Sequence, residues 1–182
     1  EEQYDTFFEN THFEIPLIYR SRMHPKAVEL AQGPKIFLGG STTYPLISWI
    51  NEQLQIKNTL LDDGCNVVNF NLSLAKAMGC HPIYLVGCDL CYANDRPYAP
   101  SIVEDLPLPH FGNMDPLDFS LNRGLFSKSN QSDEVYTLWK WQQEAHWISE
   151  FALKNPSMPV YTTSKHGLRI EGVPYRDTHH IL

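Results

Sequence analysis

Residues 62–92, which read DDGCNVVNFNLSLAKAMGCHPIYLVGCDLCY, decide the fold class of this chain. Over residues 67–78 the apolar side chains recur at helical spacing, and Gly79 ends the run. Residues 82–87 then have the short apolar pattern of a buried strand. A helix that leads into a strand of this kind is half of a parallel α/β unit. The stretch therefore predicts a parallel, or mostly parallel, sheet with helices on both faces.

Asp89 and Tyr92 follow the predicted strand at once. In open parallel sheets, ligands bind beyond the carboxyl ends of the strands, so we predict that both residues lie at a ligand-binding edge. The Asp89 carboxylate would hold a ribose hydroxyl, orient a nucleophile, or bind Mg²⁺ together with phosphates. The alternative is a structural aspartate that accepts hydrogen bonds from loop amides.

The start of the predicted helix is a second candidate for ligand binding. Gly64 and Asn66 open the helix, whose free N–H groups and positive dipole end favour an anion. A helix cap with a turn glycine explains the same two residues equally well. Asn69 lies one turn into the helix and is predicted to face the ligand.

Length and charge limit the classes of function. The 182 residues fit a single Rossmann-like domain over residues 1–182, since domains usually contain roughly 100–200 residues. A formal net charge of -7 argues against nucleic-acid binding, which requires a basic surface. No apolar run approaches the ~20 residues of a membrane helix, and no signal-peptide pattern is present, so we expect a cytoplasmic protein without a membrane partner. The chain starts without Met, which indicates a piece of a longer or processed protein and hence a partial domain.

Residues 93–132 are rich in Pro, Asp, Asn and Ser and lack periodicity. We predict a lid-like insertion here, because loops of this length in compact domains are usually lids or disordered insertions. His110 lies within it and is a candidate general base, since histidine has an ordinary pKa near ~6.5; a surface histidine is the alternative. Asp133 is predicted to cap a helix that runs to about Lys154.

The four cysteines are predicted to be reduced, inert thiols. Cys88-x-x-Cys91 has half of the spacing of a zinc site, but a structural zinc needs a second pair at similar spacing. Cys65 and Cys80 do not supply that pair, because they lie on either side of the predicted helix. We therefore predict no metal site.

The motifs of this stretch resemble those of the domain shared by the motility-associated flagellin glycosyltransferases (the Maf proteins) and the MptE-type 6-hydroxymethylpterin diphosphokinases. That family reads Gly-Gly-Ser-Val, then a helix ending Leu-Ala…Leu-Gly, then a strand with Gly-x-Asp-Leu-Ala-Tyr, and it closes with Gly-x-x-Ile-x-Gly. The matching segments here are GCNV at 64–67, LSLA at 72–75 before Gly79, GCDLCY at 87–92, and the closing residues Gly167, Ile170 and Gly172. This chain departs from the family at Cys65-Asn66, which replaces Gly-Ser, and it has no match to the N-terminal Gly-x-Gly-Pro-Ser-Leu loop that helps to hold the nucleotide.

The same order of elements resembles the small bacterial sialyltransferases that use a CMP-sugar donor. In that family two tyrosines six residues apart follow the Gly-x-Asp strand end and bind the donor phosphate. Tyr92 and Tyr98 have this spacing, so the resemblance implies a phosphate-binding role for both. Ser164 stands where the Maf and MptE family has Thr, which implies a hydroxyl contact to the ligand; a turn-forming serine is the alternative.

The resemblance implies two enzymatic functions, and the departures from the family pattern favour a third, non-catalytic one; they follow in order of preference. The first is a glycosyltransferase that moves a nonulosonic-acid-type sugar from a CMP-sugar donor to a protein or glycan hydroxyl, with Asp89 or His110 as the base. The second is an MptE-like diphosphokinase that uses ATP and Mg²⁺, with Asp89 as a metal ligand. The third is a non-catalytic Rossmann-like module that binds a partner. The expected partners of an enzyme of either kind are a nucleotide or nucleotide sugar and, for the first, a protein or glycan acceptor.

Overall fold

The architecture is taken from a computed structural model, which describes residues 14–21, 23–38, 45–56, 61–62, 64–92, 124–177 and 179. The chain divides into two compact units, Glu1–Asp63 and Gly64–Leu182. No helix among the described residues is long and apolar enough to cross a membrane.

The first unit contains a parallel strand pair with an intervening helix. Its elements are β1 Leu17–Tyr19, α1 Pro25–Leu30, β2 Lys35–Phe37 and α2 Pro45–Gln53. Strands β1 and β2 pair in parallel, so α1 is the crossover of a βαβ unit. Pro25 begins α1, because the missing N–H of a first-turn proline has no intrahelical acceptor to lose.

The second unit contains the stretch that decides the fold. Its elements, in chain order, are α3 Val67–Ala77, β3 Ile83–Leu85, β4 Gly124–Lys128, β5 Glu134–Leu138, α4 Trp139–Lys154 and β6 Val160–Thr162. Strands β3 and β6 pair in parallel, and β4 and β5 pair antiparallel. The predicted α/β class with parallel strands is confirmed, and so are the helix and strand predicted within residues 67–87. Gly79 follows α3 with a φ of 74°, the left-handed conformation that glycine adopts after a helix end.

A β-hairpin occupies the segment that was predicted as the end of a lid and the start of a helix. Residues 124–132 form β4 and the turn after it, and residues 93–123 lie outside the described residues. The prediction that Asp133 caps α4 is wrong, because strand β5 intervenes and α4 begins after Leu138 without a side-chain cap. The run Val135-Tyr136-Thr137 favours a strand, since β-branched and aromatic residues suit a pleated surface. The Thr137 hydroxyl also donates to the Leu90 carbonyl at 2.6 Å, which ties β5 to the end of β3.

The core of the second unit joins α3, α4 and the β3–β6 pair. Ile148 of α4 and Val160 of β6 are fully buried, and Leu72 of α3 and Leu85 of β3 pack into the same cluster. Side chains alternate along a strand, so Tyr161 faces away from this core. Its ring stacks on Tyr84 with centroids 5.3 Å apart, and the guanidinium of Arg176 lies 3.8 Å from its centroid.

Candidate functional site

The carboxyl ends of β3 and β6 lie side by side, because the two strands are parallel with Leu85 opposite Thr162. Asp89 follows the first strand and Ser164 follows the second. The N-terminus of α3 lies near the same edge, since both the Asn66 side chain at its cap and the Cys88 thiol after β3 interact electrostatically with the Glu144 carboxyl group. We call this group the edge site; its members are Asn66, Asp89, Glu144 and Ser164. All four belong to the second unit.

The turn that opens α3 is closed by two reciprocal hydrogen bonds. The Asn66 Oδ1 accepts from the Asn69 N–H at 3.0 Å, and the Asn69 Oδ1 accepts from the Cys65 N–H at 2.8 Å. The second bond resembles the return half of a capping box, one residue earlier than usual. Gly64 has a φ of 57°, and a Cβ there would lie 2.2 Å from the Asn69 Cβ. The turn therefore requires glycine both for its backbone conformation and for the close approach of Asn69.

Asn69 is fully buried beneath this turn. Its Nδ2 is a buried donor without a hydrogen-bond acceptor among the described residues. A buried amide N–H without an acceptor costs free energy. The Asn69 side chain is therefore kept in place by the hydrogen bond of its Oδ1 to the turn and not by its Nδ2. Asn69 thus shapes the turn that opens α3, and its predicted contact with a ligand stays a prediction.

Glu144 is the member of the edge site that the sequence reasoning missed. Burial raises the pKa of its carboxyl group, while the Lys140 ammonium and a hydrogen bond from the Asn66 side chain partly oppose that rise. The Asn66 Oδ1 is engaged by the α3 backbone, and the Asn66 side chain lies close enough to Glu144 to influence the pKa of its carboxyl group. A signal was present in the sequence, since Glu144 lies three residues after Trp141 and four before Ile148 on the apolar face of α4.

Asp89 follows β3 at the edge of the sheet. The side chain is half-buried, and no described residue donates a hydrogen bond to the carboxylate. Its backbone carbonyl accepts from the Leu168 N–H at 2.8 Å, which fixes the position of the residue. Among the described residues the loop-amide alternative is not observed, and the contact of the carboxylate with a ligand stays a prediction.

Cys88 and Cys91 flank Asp89 as protonated thiols. Burial, then the charges of Glu144 and Asp89, raise the pKa of Cys88 to about 11. Burial and the Asp89 charge raise the pKa of Cys91 to about 11, although a hydrogen bond from the Leu168 backbone opposes the rise. Reactive cysteines need a lowered pKa, so these two agree with the predicted inert thiols. The described residues contain no group of three or more His, Cys, Asp and Glu side chains that could hold a metal ion.

Tyr92 lies in an aromatic cluster next to the edge site. Its ring centroid is 5.3 Å from that of Tyr136 and 5.1 Å from that of Trp141. Its N–H donates to the Tyr136 carbonyl at 2.8 Å, so the β5 strand positions the residue. The Lys140 ammonium lies 5.6 Å from the Trp141 centroid, which brings a cation to the same cluster. The predicted contact of Tyr92 with a phosphate stays a prediction.

Ser164 forms the turn after β6 and lies next to Asp89. Its N–H donates to the Thr162 Oγ1 at 3.1 Å, and its carbonyl accepts from the Asn130 Nδ2 at 2.8 Å. A Cβ on Gly167 would lie 2.7 Å from the Ser164 Cβ and 3.2 Å from the Asp89 carbonyl, so only glycine lets the two loops approach. The turn-forming role is thus observed, and a ligand contact of the hydroxyl stays a prediction. Tyr98 and His110 lie outside the described residues.

Comparison with known proteins places this geometry among related folds. The sequence profile of the family described as 6-hydroxymethylpterin diphosphokinase MptE-like matches residues 1–95. Among solved structures, the chain is similar to the Maf glycosyltransferase from Magnetospirillum magneticum AMB-1, with a TM-score of 0.63 and 18% sequence identity. That alignment covers 93% of this chain and 23% of the glycosyltransferase, and at this identity it shows a shared fold. No curated protein matches the sequence.

Proposed function

Because the chain belongs to the MptE-like family and shares the fold of a glycosyltransferase, we propose that it is a glycosyltransferase-like domain that binds a nucleotide sugar. The donor is a CMP-linked, nonulosonic-acid-type sugar, and the acceptor is a hydroxyl group of a protein or glycan. The observation that carries the proposal is the Asp89 carboxylate, which follows β3 and accepts no hydrogen bond from the part of the chain that the structure describes. Ligands of open α/β sheets bind at this edge.

The proposed reaction needs a base and a site for the leaving phosphate. The acceptor oxygen attacks the anomeric carbon, the bond from that carbon to the phosphate oxygen breaks, and CMP departs with the electron pair. Asp89 accepts the proton of the acceptor hydroxyl, or His110 accepts it while Asp89 orients the acceptor. The N-terminus of α3 beside Asn66, together with Tyr92 and Tyr98, stabilises the charge on the departing phosphate.

Binding of CMP and cytidine triphosphate to the full-length protein tests the proposal. We expect CMP to bind without Mg²⁺, and we expect Asp89→Asn to weaken binding about tenfold, the cost of one hydrogen bond to a charged group. Asp133→Asn is the matched control, because the Asp133 side chain is 66% exposed and is not a member of the edge site. If a folded protein binds neither nucleotide, the glycosyltransferase proposal is wrong.

The family match favours one alternative, an MptE-like diphosphokinase that transfers pyrophosphate from ATP to a hydroxymethylated pterin. Asp89 would then help to hold Mg²⁺, which would neutralise charge on the transferred phosphates. Titration with ATP separates the two reactions, since Mg²⁺-dependent binding of ATP without binding of CMP supports the diphosphokinase. Only a non-catalytic module is expected to bind none of these nucleotides.

A further inference from the structure

A groove with a volume of about 810 Å³ crosses the second unit. Its lining consists of Ser127, Lys128, Asn130 and residues 169–175. We call it the basic groove, because Lys128 and Arg169 supply its cations. Ligand pockets usually enclose roughly 300–1,000 Å³, so the basic groove has room for a sugar or a short oligosaccharide.

The walls of the basic groove are preformed. The Arg169 N–H donates to the Lys128 carbonyl at 2.9 Å, and the Asn130 N–H donates to the Gly167 carbonyl at 3.0 Å. Residues 167–169 therefore extend the β4–β5 hairpin as a third antiparallel segment. Residues 170–173, which also line the groove, form a turn closed by a hydrogen bond of 3.2 Å from the Val173 N–H to the Ile170 carbonyl. Because the lining is already ordered, binding of a ligand would cost little conformational entropy of the protein.

The positive charges of Lys128 and Arg169 belong to paired positions of two antiparallel segments. Ser129 bridges Leu168 in the antiparallel pairing, which sets Lys128 directly across from Arg169. Residues in such a pair have Cβ atoms about 4.5–5.5 Å apart, and like charges there are destabilising. Glu134 stands across from Lys128 on the other side, in β5. Even so, neither cation forms an ion pair with a carboxylate among the described residues, in a chain whose net charge is -7.

The rest of the lining favours hydroxyl groups rather than a bare anion. The exposed Glu171 carboxylate lines the basic groove and would repel a small anion that filled it. The same carboxylate accepts hydrogen bonds from sugar hydroxyls, and the Ser127 hydroxyl and the half-buried Tyr175 ring add a donor and an apolar surface. A ligand that satisfies all of these groups has an anionic end for Lys128 and Arg169 and several hydroxyl groups for the remainder.

We infer that the basic groove binds an acidic saccharide, that is, a sugar that carries a carboxylate or a phosphate. The inference goes beyond the proposed nucleotide site. Binding at the groove is measured without a nucleotide, and CMP binding is measured without a sugar. Loss of acidic-sugar binding would therefore contradict only the groove inference, and loss of CMP binding would contradict only the proposed nucleotide site.

Titration calorimetry of the full-length protein with glucuronate, glucose 6-phosphate, glucose and inorganic phosphate at constant ionic strength tests the inference. We expect either or both acidic sugars to bind at least about fivefold more tightly than glucose and phosphate, because charge-assisted hydrogen bonds add to the hydroxyl contacts. Which of the two binds identifies the anionic group. Lys128→Gln and Arg169→Gln should each weaken that binding about five- to tenfold.

The matched control is Arg176→Gln, because the Arg176 guanidinium stacks on Tyr161 and does not line the basic groove. It should bind the acidic sugars as the unmodified protein does, and thermal melting should show that all three variants fold. Three results would overturn the inference: no binding of either acidic sugar, equal binding of glucose and the acidic sugars, or unchanged binding by the two groove variants. Phosphate that binds as tightly as glucose 6-phosphate overturns the saccharide part.

Discussion

Substitution of Gly64 by alanine tests how the turn that opens α3 is built. The residue has a φ of 57°, and a left-handed backbone costs an L-residue other than glycine about 1–2 kcal/mol. The new Cβ would also lie 2.2 Å from the Asn69 Cβ, an atom fixed to the first turn of α3. Relief of such overpacking costs a further 1–3 kcal/mol, roughly. We therefore expect Gly64→Ala to lower the free energy of unfolding by about 2–5 kcal/mol.

Gly79→Ala is the matched control for the backbone cost. Gly79 also has a positive φ, 74°, but a Cβ there would meet nothing within 4 Å. It should therefore cost about 1–2 kcal/mol, from the backbone conformation alone. The difference between the two variants isolates the contact with Asn69.

Urea unfolding followed by circular dichroism measures both variants. With an m-value of about 1–3 kcal/mol/M, the midpoint of Gly64→Ala should lie about 1 M below that of Gly79→Ala. Equal midpoints would refute the reasoning, because they would mean that the turn and Asn69 are not in close contact. A changed m-value for one variant would instead report an altered unfolded or native state, and the midpoints would then be compared through thermal unfolding.

Two further predictions concern titratable groups at the edge site. The raised pKa of Glu144 means that the folded state binds its proton more tightly than the unfolded state does, so its contribution to stability falls as the pH rises above the ordinary value of 4.5. Glu144→Gln should make the fall in unfolding free energy above pH 4.5 less steep, and an unchanged slope in urea titrations at several pH values would contradict this. Cys88 and Cys91, with pKa values of about 11, should be about a thousandth ionised at pH 8 and should resist iodoacetamide, while the exposed Cys65 and Cys80 react. Mass spectrometry of the folded protein should show two adducts, at Cys65 and Cys80. Four adducts formed at the same rate would show that Cys88 and Cys91 are not protected by burial.

Local sequence was sufficient to predict α3, β3 and their order, because their signals are short in range. Apolar spacing and a glycine after the helix end define α3, and an apolar run defines β3. The hairpin was missed because β4 was read as part of a lid and β5 as the first turn of a helix. Thr137 is held in a strand by a hydrogen bond to Leu90, 47 positions away, and no local pattern contains that contact.

The sequence by itself determined the α/β class, the family resemblance and the position of Asp89 after a strand, since each depends on residues adjacent in the chain. The tertiary structure alone decided what surrounds that aspartate. Glu144 reaches Asn66 from a helix that begins 73 residues later in the chain, and Ser164 comes next to Asp89 because β6 pairs with β3. It also set Lys128 opposite Arg169, a pairing that arises from strand register between distant segments. Charge and burial at such sites are properties of neighbours in space, and a sequence lists only neighbours along the chain.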